Sequence, residues 1–439
     1  MKHGRPFIKL FITSCKNLRS IPTFHVQNRS NDCCMSRKQL AYRNEMLRHF
    51  YFAGSLSCAE LSVLTGRSLP LTTRLLTELL DEGLLVDSGL ANSTGGRRPQ
   101  TYALRPDAVH VLSVAMDQFI TRIALMNADN QVVGAVADLE FDLAGDPQSL
   151  ATLAGHLTHF LAQVPVPRET IAGIGIGMPG FVDVTKGLNH SYLRPPAGHS
   201  IVSYLQQATD LPVFIDNDSS LIALAESRFG DGRGRANVLV VNVSWGIGLG
   251  MVLGGKLFRG DSGFAGEFSH IPVFTNNIMC ACGKLGCLET EASLKIMVAK
   301  AAAGIAGGRS TMLRQITQEH VEASAASIMQ AAAKGDKFSV ELIAEIGYKI
   351  GKGVAILIHI INPGLVVLSG RGSQAGKLWL APVQQAINEH CIPKISENTQ
   401  VTVSKMGDSA ELIGAASLVF ENIEFTNLME VSQPKILSD

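Results

Sequence analysis

The chain is short of several things, and each shortage excludes a class. No apolar run reaches the roughly 18 residues needed to cross a bilayer, so a membrane-spanning protein is excluded. Eight cysteines in 439 residues are too few for a disulfide scaffold. Charge of either sign is scarce: charged side chains make up 17% of the sequence, 38 basic and 38 acidic, against 46% apolar residues. That balance belongs to a globular chain and rules out wholesale disorder. Aromatics are few, with two Trp and six Tyr, whereas 42 glycines point to many tight turns, as in α/β proteins with backbone-lined ligand sites. The length allows about three folding units.

The first 37 residues hold seven Lys or Arg and one acid. Their apolar stretch, Phe7 to Ile12, is interrupted by Lys9 and is no secretory segment. A disordered basic extension, or an upstream addition with initiation at Met35, fits better than an organellar transit peptide. Residues 1–37 and the tail 425–439 are left outside the fold, and a cytoplasmic bacterial protein is expected.

Residues 38–106 read as a winged helix-turn-helix. Helical spacing runs from Gln39 to Phe50, a turn follows at Gly54 to Ser57, and a second helix spans Cys58 to Thr65 behind a capping box of Ser57 and Glu60. A third helix, about Leu69 to Glu82, is expected to turn Leu75, Leu76, Leu79 and Leu80 inward and Thr72, Thr73 and Arg74 outward, with Gly83 at its end. Leu84 to Val86 and Thr101 to Leu104 frame a polar loop carrying Arg97 and Arg98, which suits a wing. Those five polar residues are the candidates for contact with double-stranded DNA. The unit is only slightly basic, which argues for a dimer or tetramer that sums its contacts.

Residues 107–424 alternate strands and helices. A meander over Val111–Phe141, a helix at Leu150–Gln163 and a buried strand at Ile171–Met178 are followed by a second set of strands and long helices. Two β-rich runs, each succeeded by βα units, suggest an α/β fold of two lobes with a ligand cleft between them. One imidazole and three thiolates, His270, Cys280, Cys282 and Cys287, are the number and kind that a closed tetrahedral zinc site needs, so the ion is expected to be structural.

Gly266-Glu267-Phe268-Ser269-His270, the cysteine loop and Leu288-Glu289 through Ser293 closely resemble the signature of the ROK family, which holds bacterial sugar kinases and sugar-responsive repressors. Gly175 through Asp183 and Asp216-Asn217-Asp218 resemble two further family motifs. The resemblance covers residues 38–424 and departs at Ser269, where the family usually has glycine. It implies an actin-like, sugar-kinase-like fold in which Asn217, Asp218, Glu267, His270 and Glu289 bind sugar hydroxyls, with Gly177 beside them. His270 would bind zinc through one ring nitrogen and meet the sugar with the other.

In family kinases the residue matching Asp218 takes the proton of the attacking hydroxyl, so a base is in place. The phosphate loops depart, however. Asp117-Gln118-Phe119-Ile120-Thr121 stands where the family reads Asp-x-Gly-Gly-Thr, and Ser244-Trp245 where kinases carry Gly-Thr. Amide cradles for phosphate need glycine where a Cβ would block approach. With Phe119 and Ile120 packed into that turn, the expectation is a regulator, a repressor released by a sugar effector, and not an enzyme. An active kinase bearing a DNA-binding unit, and a regulator controlled by a protein partner, are the alternatives.

Overall fold

The computed structural model describes residues 37–91, 98–140, 143, 146 and 148–424. Arg97 and the two termini lie outside these residues.

The chain opens with α1 (Arg37–Ala53), β1 (Ser55–Ser57), α2 (Cys58–Thr65), α3 (Leu69–Asp81), β2 (Leu85–Leu90) and β3 (Gln100–Leu104). Both arms of the Ser57–Glu60 capping box are made. The expected turn at Gly54–Ser57 is instead the edge strand of a three-stranded sheet, order β1-β3-β2, with Ser55–Ser57 paired to Thr101–Ala103. Leu47, Phe50, Leu61, Leu75 and Leu79 form the core of this winged helix-turn-helix. Gly83 takes φ +70° and reverses the chain after α3, with Leu84 N donating back to Leu79 O at 3.0 Å.

One lobe follows: β4 (His110–Met116), β5 (Ile120–Asn127), β6 (Val132–Glu140), α4 (Ser149–Leu161), β7 (Ile171–Met178), β8 (Val182–Asp183), β9 (Leu188–Asn189), α5 (Ile201–Thr209), β10 (Val213–Asn217) and α6 (Asp218–Arg228). Its main sheet runs β10-β7-β4-β5-β6. The other lobe holds β11 (Val238–Val243), β12 (Ile247–Leu253), β13 (Lys256–Leu257), α7 (Glu289–Ala292), α8 (Leu294–Ala306), α9 (Val321–Ala333), α10 (Lys337–Ile361), β14 (Leu365–Ser369), α11 (Leu380–His390), α12 (Pro393–Ser396) and β15 (Gln400–Val403), and the last helix, α13 (Ser409–Asn422), returns to the first lobe's sheet. Its sheet runs β13-β12-β11-β14-β15.

Strand β7 shows how sequence sets the layers. Successive side chains of a strand point to opposite faces. Ile174, Ile176 and Met178 fill the core under α4 and α5, while Gly173, Gly175 and Gly177 face the returning helix α13. A Cβ on Gly175 would lie 2.0 Å from the Ala415 carbonyl, so α13 presses directly on the sheet backbone. Helix α6 packs between α13 and strands β11 and β12, joining the lobes. Among the described residues, no helix is long and apolar enough to cross a membrane.

Candidate functional site

The strand ends and turns between the lobes enclose a cavity of about 360 Å³. Asn217 ends β10 and caps α6: its Oδ1 accepts from Ser219 N and Ser220 N at 3.0 and 3.2 Å, and its Nδ2 donates to Gly180 O at 3.2 Å. Asp218 follows, with Oδ1 accepting from Ser219 N at 2.7 Å and Oδ2 from Asn242 Nδ2 at 3.2 Å. Burial, reinforced by the charges of Asp117 and Glu267, pushes the Asp218 carboxyl up to about 6. Glu267, His270 and Glu289 line the opposite wall. Gly246 admits Glu289, because a Cβ there would stand 2.7 Å from Glu289 Oε2.

Five of the six residues expected at the sugar site therefore line one cavity. Gly177 does not. Its α-carbon faces Glu411, whose Oε1 would sit 2.6 Å from a Cβ, so its smallness serves the packing of α13. Ser269, the departure from the family pattern, lies buried in a short 3-10 turn, Phe268–His270, where a Cβ is tolerated. Phe181, Tyr192 and Phe264 add an aromatic rim, with Phe181 and Phe264 edge-to-face at 5.8 Å. Nothing in their spacing distinguishes them from ordinary loop aromatics.

The ligating atoms of His270, Cys280, Cys282 and Cys287 all lie within 4.8 Å of one another. Cys280 Sγ is 3.5 Å from His270 Nδ1, and Cys282 Sγ is 3.6 Å from Cys287 Sγ. Tetrahedral bonds of about 2.3 Å to sulfur and 2.0 Å to nitrogen require ligand separations of roughly 3.5–3.8 Å, so the set fits a metal ion. His270 Nε2 is left facing the cavity, 3.8 Å from Glu267 Oε2.

Beyond Asp218 the cleft narrows to a second cavity of about 50 Å³, bordered by Asp117, Arg371 and Glu411. Arg371 donates to Asp117 Oδ2 through Nε and Nη2 at 3.1 and 2.6 Å, and Trp245 Nε1 donates to the same oxygen at 3.0 Å. Asp117 Oδ1 takes the amides of Phe119 and Ile120 at 2.7 and 2.8 Å. The amides of the first loop are thus spent on its own aspartate, an Asx-type turn. Phe119 is 43% exposed and meets Trp245 edge-to-face at 5.9 Å, so it does not fill the pocket. Trp245, 4% exposed, and Arg371 instead hold Asp117 from its other carboxylate oxygen, and the Asp117–Arg371 pair borders the small pocket. Gly248 and Gly250 of the second loop are packing positions, since a Cβ on either would strike Ser219 within 2.3 Å.

On the candidate DNA face, Thr73 and Arg74 of α3 are exposed, Arg74 at 60%. Thr72 is not: it is 1% exposed and its Oγ1 donates to Ser68 O at 3.1 Å. At 100° per residue it shares the stripe of Leu76 and Leu79, and packing overrides its polarity. Thr77, one turn beyond Thr73, is exposed on the outward face and extends it. Arg98 is exposed but donates to Ala91 O at 2.7 Å, bracing the wing.

Comparison with known proteins agrees with this geometry. Residues 123–422 match the family described as the ROK family. A xylose repressor of Caldicellulosiruptor bescii is 30% identical over 376 residues, covering 84% of this chain and 92% of that protein. A glucokinase of Halalkalibacterium halodurans is 32% identical over 254 residues, 57% of this chain and 77% of the kinase. Among solved structures, a ROK family transcriptional regulator described as a homologue of the Escherichia coli MLC protein superposes with TM-score 0.70 at 24% identity, over 90% of this chain and 99% of that one.

Proposed function

This chain belongs to the ROK family, and from that premise we propose that it is a sugar-responsive transcriptional repressor whose effector binds between the lobes. One observation carries the reading. The hydroxyl-binding side chains converge on an open cavity, whereas the first loop's amides at Phe119 and Ile120 are taken up by Asp117, itself paired to Arg371 and Trp245. The pocket beyond Asp218, about 50 Å³, accommodates roughly three or four waters.

Asn217, Asp218, Glu267, His270 and Glu289 would hold the polyol by paired hydrogen bonds. Four carboxylates and no Lys or Arg border the cavity among the described residues, which favours a neutral or amino sugar over a sugar phosphate. Zn²⁺ held by His270, Cys280, Cys282 and Cys287 would fix the His270 tautomer and leave no open position for activated water. Residues 37–104 would read an operator through Thr73 and Arg74 of α3, with Arg97 and Arg98 on the wing, as a homodimer or homotetramer spanning half-sites.

The retained Asp218 favours a second reading, a sugar kinase carrying a DNA-binding unit. The two separate in one experiment. The full chain, ATP and a panel of neutral pentoses and hexoses are followed for ADP release, and in parallel for sugar-dependent release from a DNA site selected from a random library. The repressor reading expects release from DNA without turnover and no thermal shift by millimolar ATP. Turnover at enzyme-like rates of about 1 s⁻¹ or faster would overturn it.

A further inference from the structure

Two helices begin at the site and end beneath the DNA-facing unit. Helix α6 starts with Asn217 and Asp218 in the cavity wall. Helix α13 starts beside the small pocket, where Glu411 Oε1 accepts from Met116 N at 3.2 Å, one residue ahead of the Asp117 turn. At 1.5 Å per residue the 11 and 14 residues span about 16 and 21 Å.

At their far ends both helices are held by α1. Arg228, the last residue of α6, donates to Glu421 of α13 at 2.8 Å, and its guanidinium lies 4.6 Å from the centroid of the Phe52 ring. Tyr51 stacks on Phe420 with centroids 3.7 Å apart and planes within 7°. Arg48 donates Nε to Phe420 O at 3.1 Å and Nη2 to Ile423 O at 2.8 Å, bridging two carbonyls at the end of α13.

Between the two ends the helices have no slack. A Cβ on Gly414 would fall 2.1 Å from Leu221 O of α6. Buried Leu412, Ala416 and Phe420 of α13 share one continuous core with Met46, Leu47 and Phe50 of α1. Contacts this close pass a displacement on rather than absorb it.

We infer that α6 and α13 act as one rigid strut that carries the state of the interlobe cavity to the DNA-binding helices, with Arg48 as the positioning residue at its far end. The inference rests on the repressor reading for its purpose, although its mechanics do not depend on it. Coupling of this kind is reciprocal: what the cavity does to α1, α1 must do to the cavity.

Hydrogen exchange on the full chain, without sugar or DNA, tests the strut directly. Glu411→Ala, which removes the acceptor for Met116 N, is expected to change exchange in peptides covering residues 46–53 at least threefold, and Arg48→Lys to change it by a similar factor in peptides covering 116–121. Effects confined to the mutated end would overturn the inference. A second arm uses the library-selected DNA site and the same sugars. Arg48→Lys, which keeps the charge but loses the fork, is expected still to bind sugar at saturating concentration and to lose at least tenfold of the sugar-induced change in DNA affinity. Wild-type release by Arg48→Lys would also overturn it. If no sugar shifts the wild type, the repressor reading falls, and the exchange result still decides the strut.

Discussion

Asp218 offers a test with a sign as well as a size. Its carboxyl is buried, and its ordinary value of 3.8 rises to about 6. Between these values the folded chain binds a proton that the unfolded chain has lost. Stability contributed at this position is therefore fully present below pH 3.8 and falls as pH rises toward 6. A shift of about two units at 1.36 kcal/mol each costs the native state on the order of 3 kcal/mol at neutral pH. Asp218→Asn removes the charge, and the surroundings can accept the change. Asn242 Oδ1 is buried without a hydrogen-bond partner, so rotating that amide offers an acceptor to the new side-chain N–H and to Ser219 Oγ. Glu411 is also raised well above the usual carboxylate range, by burial and then by the Asp218 charge, so the substitution relieves it in the same direction. Urea unfolding of both chains from pH 4.5 to 8 should give a gap that is small at the acid end and reaches up to about 3 kcal/mol in favour of Asp218→Asn above pH 7. A gap independent of pH, or one that widens toward acid, would refute the reasoning.

Two further outcomes are expected. The wild-type chain should purify with one zinc per chain, and Cys282→Ser should lose it together with at least ~2.7 kcal/mol of stability, the linkage value for a ligand at a hundred times its dissociation constant; equal metal content in both chains would count against the four-ligand site. Arg74→Ala should weaken DNA binding and lower the slope of log affinity against log salt by about 0.9, whereas Thr72→Ala should leave that slope alone and cost ~1 kcal/mol of folding stability; a salt slope that moves with Thr72 would return that residue to the interface.

What could be read from the sequence was whatever depends on near neighbours along the chain. The capping box of Ser57 and Glu60 spans three residues, the alternation of β7 eight, and the metal ligands the short stretch from His270 to Cys287, and each was legible because its geometry is local. Thr72 shares the helical phase of Leu76 and Leu79, and phase rather than side-chain polarity decides burial on a helix this short. The nucleotide pocket is the more instructive case. The loss of two glycines at Phe119 and Ile120 pointed to a blocked cradle, and the pocket is indeed small, but Phe119 leans outward and the loop's amides are taken up by Asp117. Arg371 reaches Asp117 across 254 positions of sequence and Trp245 across 128, and no pattern of spacing announces contacts between such distant residues. Asp117 uses one oxygen for Arg371 and Trp245 and the other for its own turn's amides, and a turn closed in this way accommodates the side chains of Phe119 and Ile120. Restoring glycine at Phe119 and Ile120 alone is therefore expected to leave the loop's amides on Asp117, because Arg371 and Trp245 still hold that carboxylate in place, and millimolar ATP should give the double variant no thermal shift.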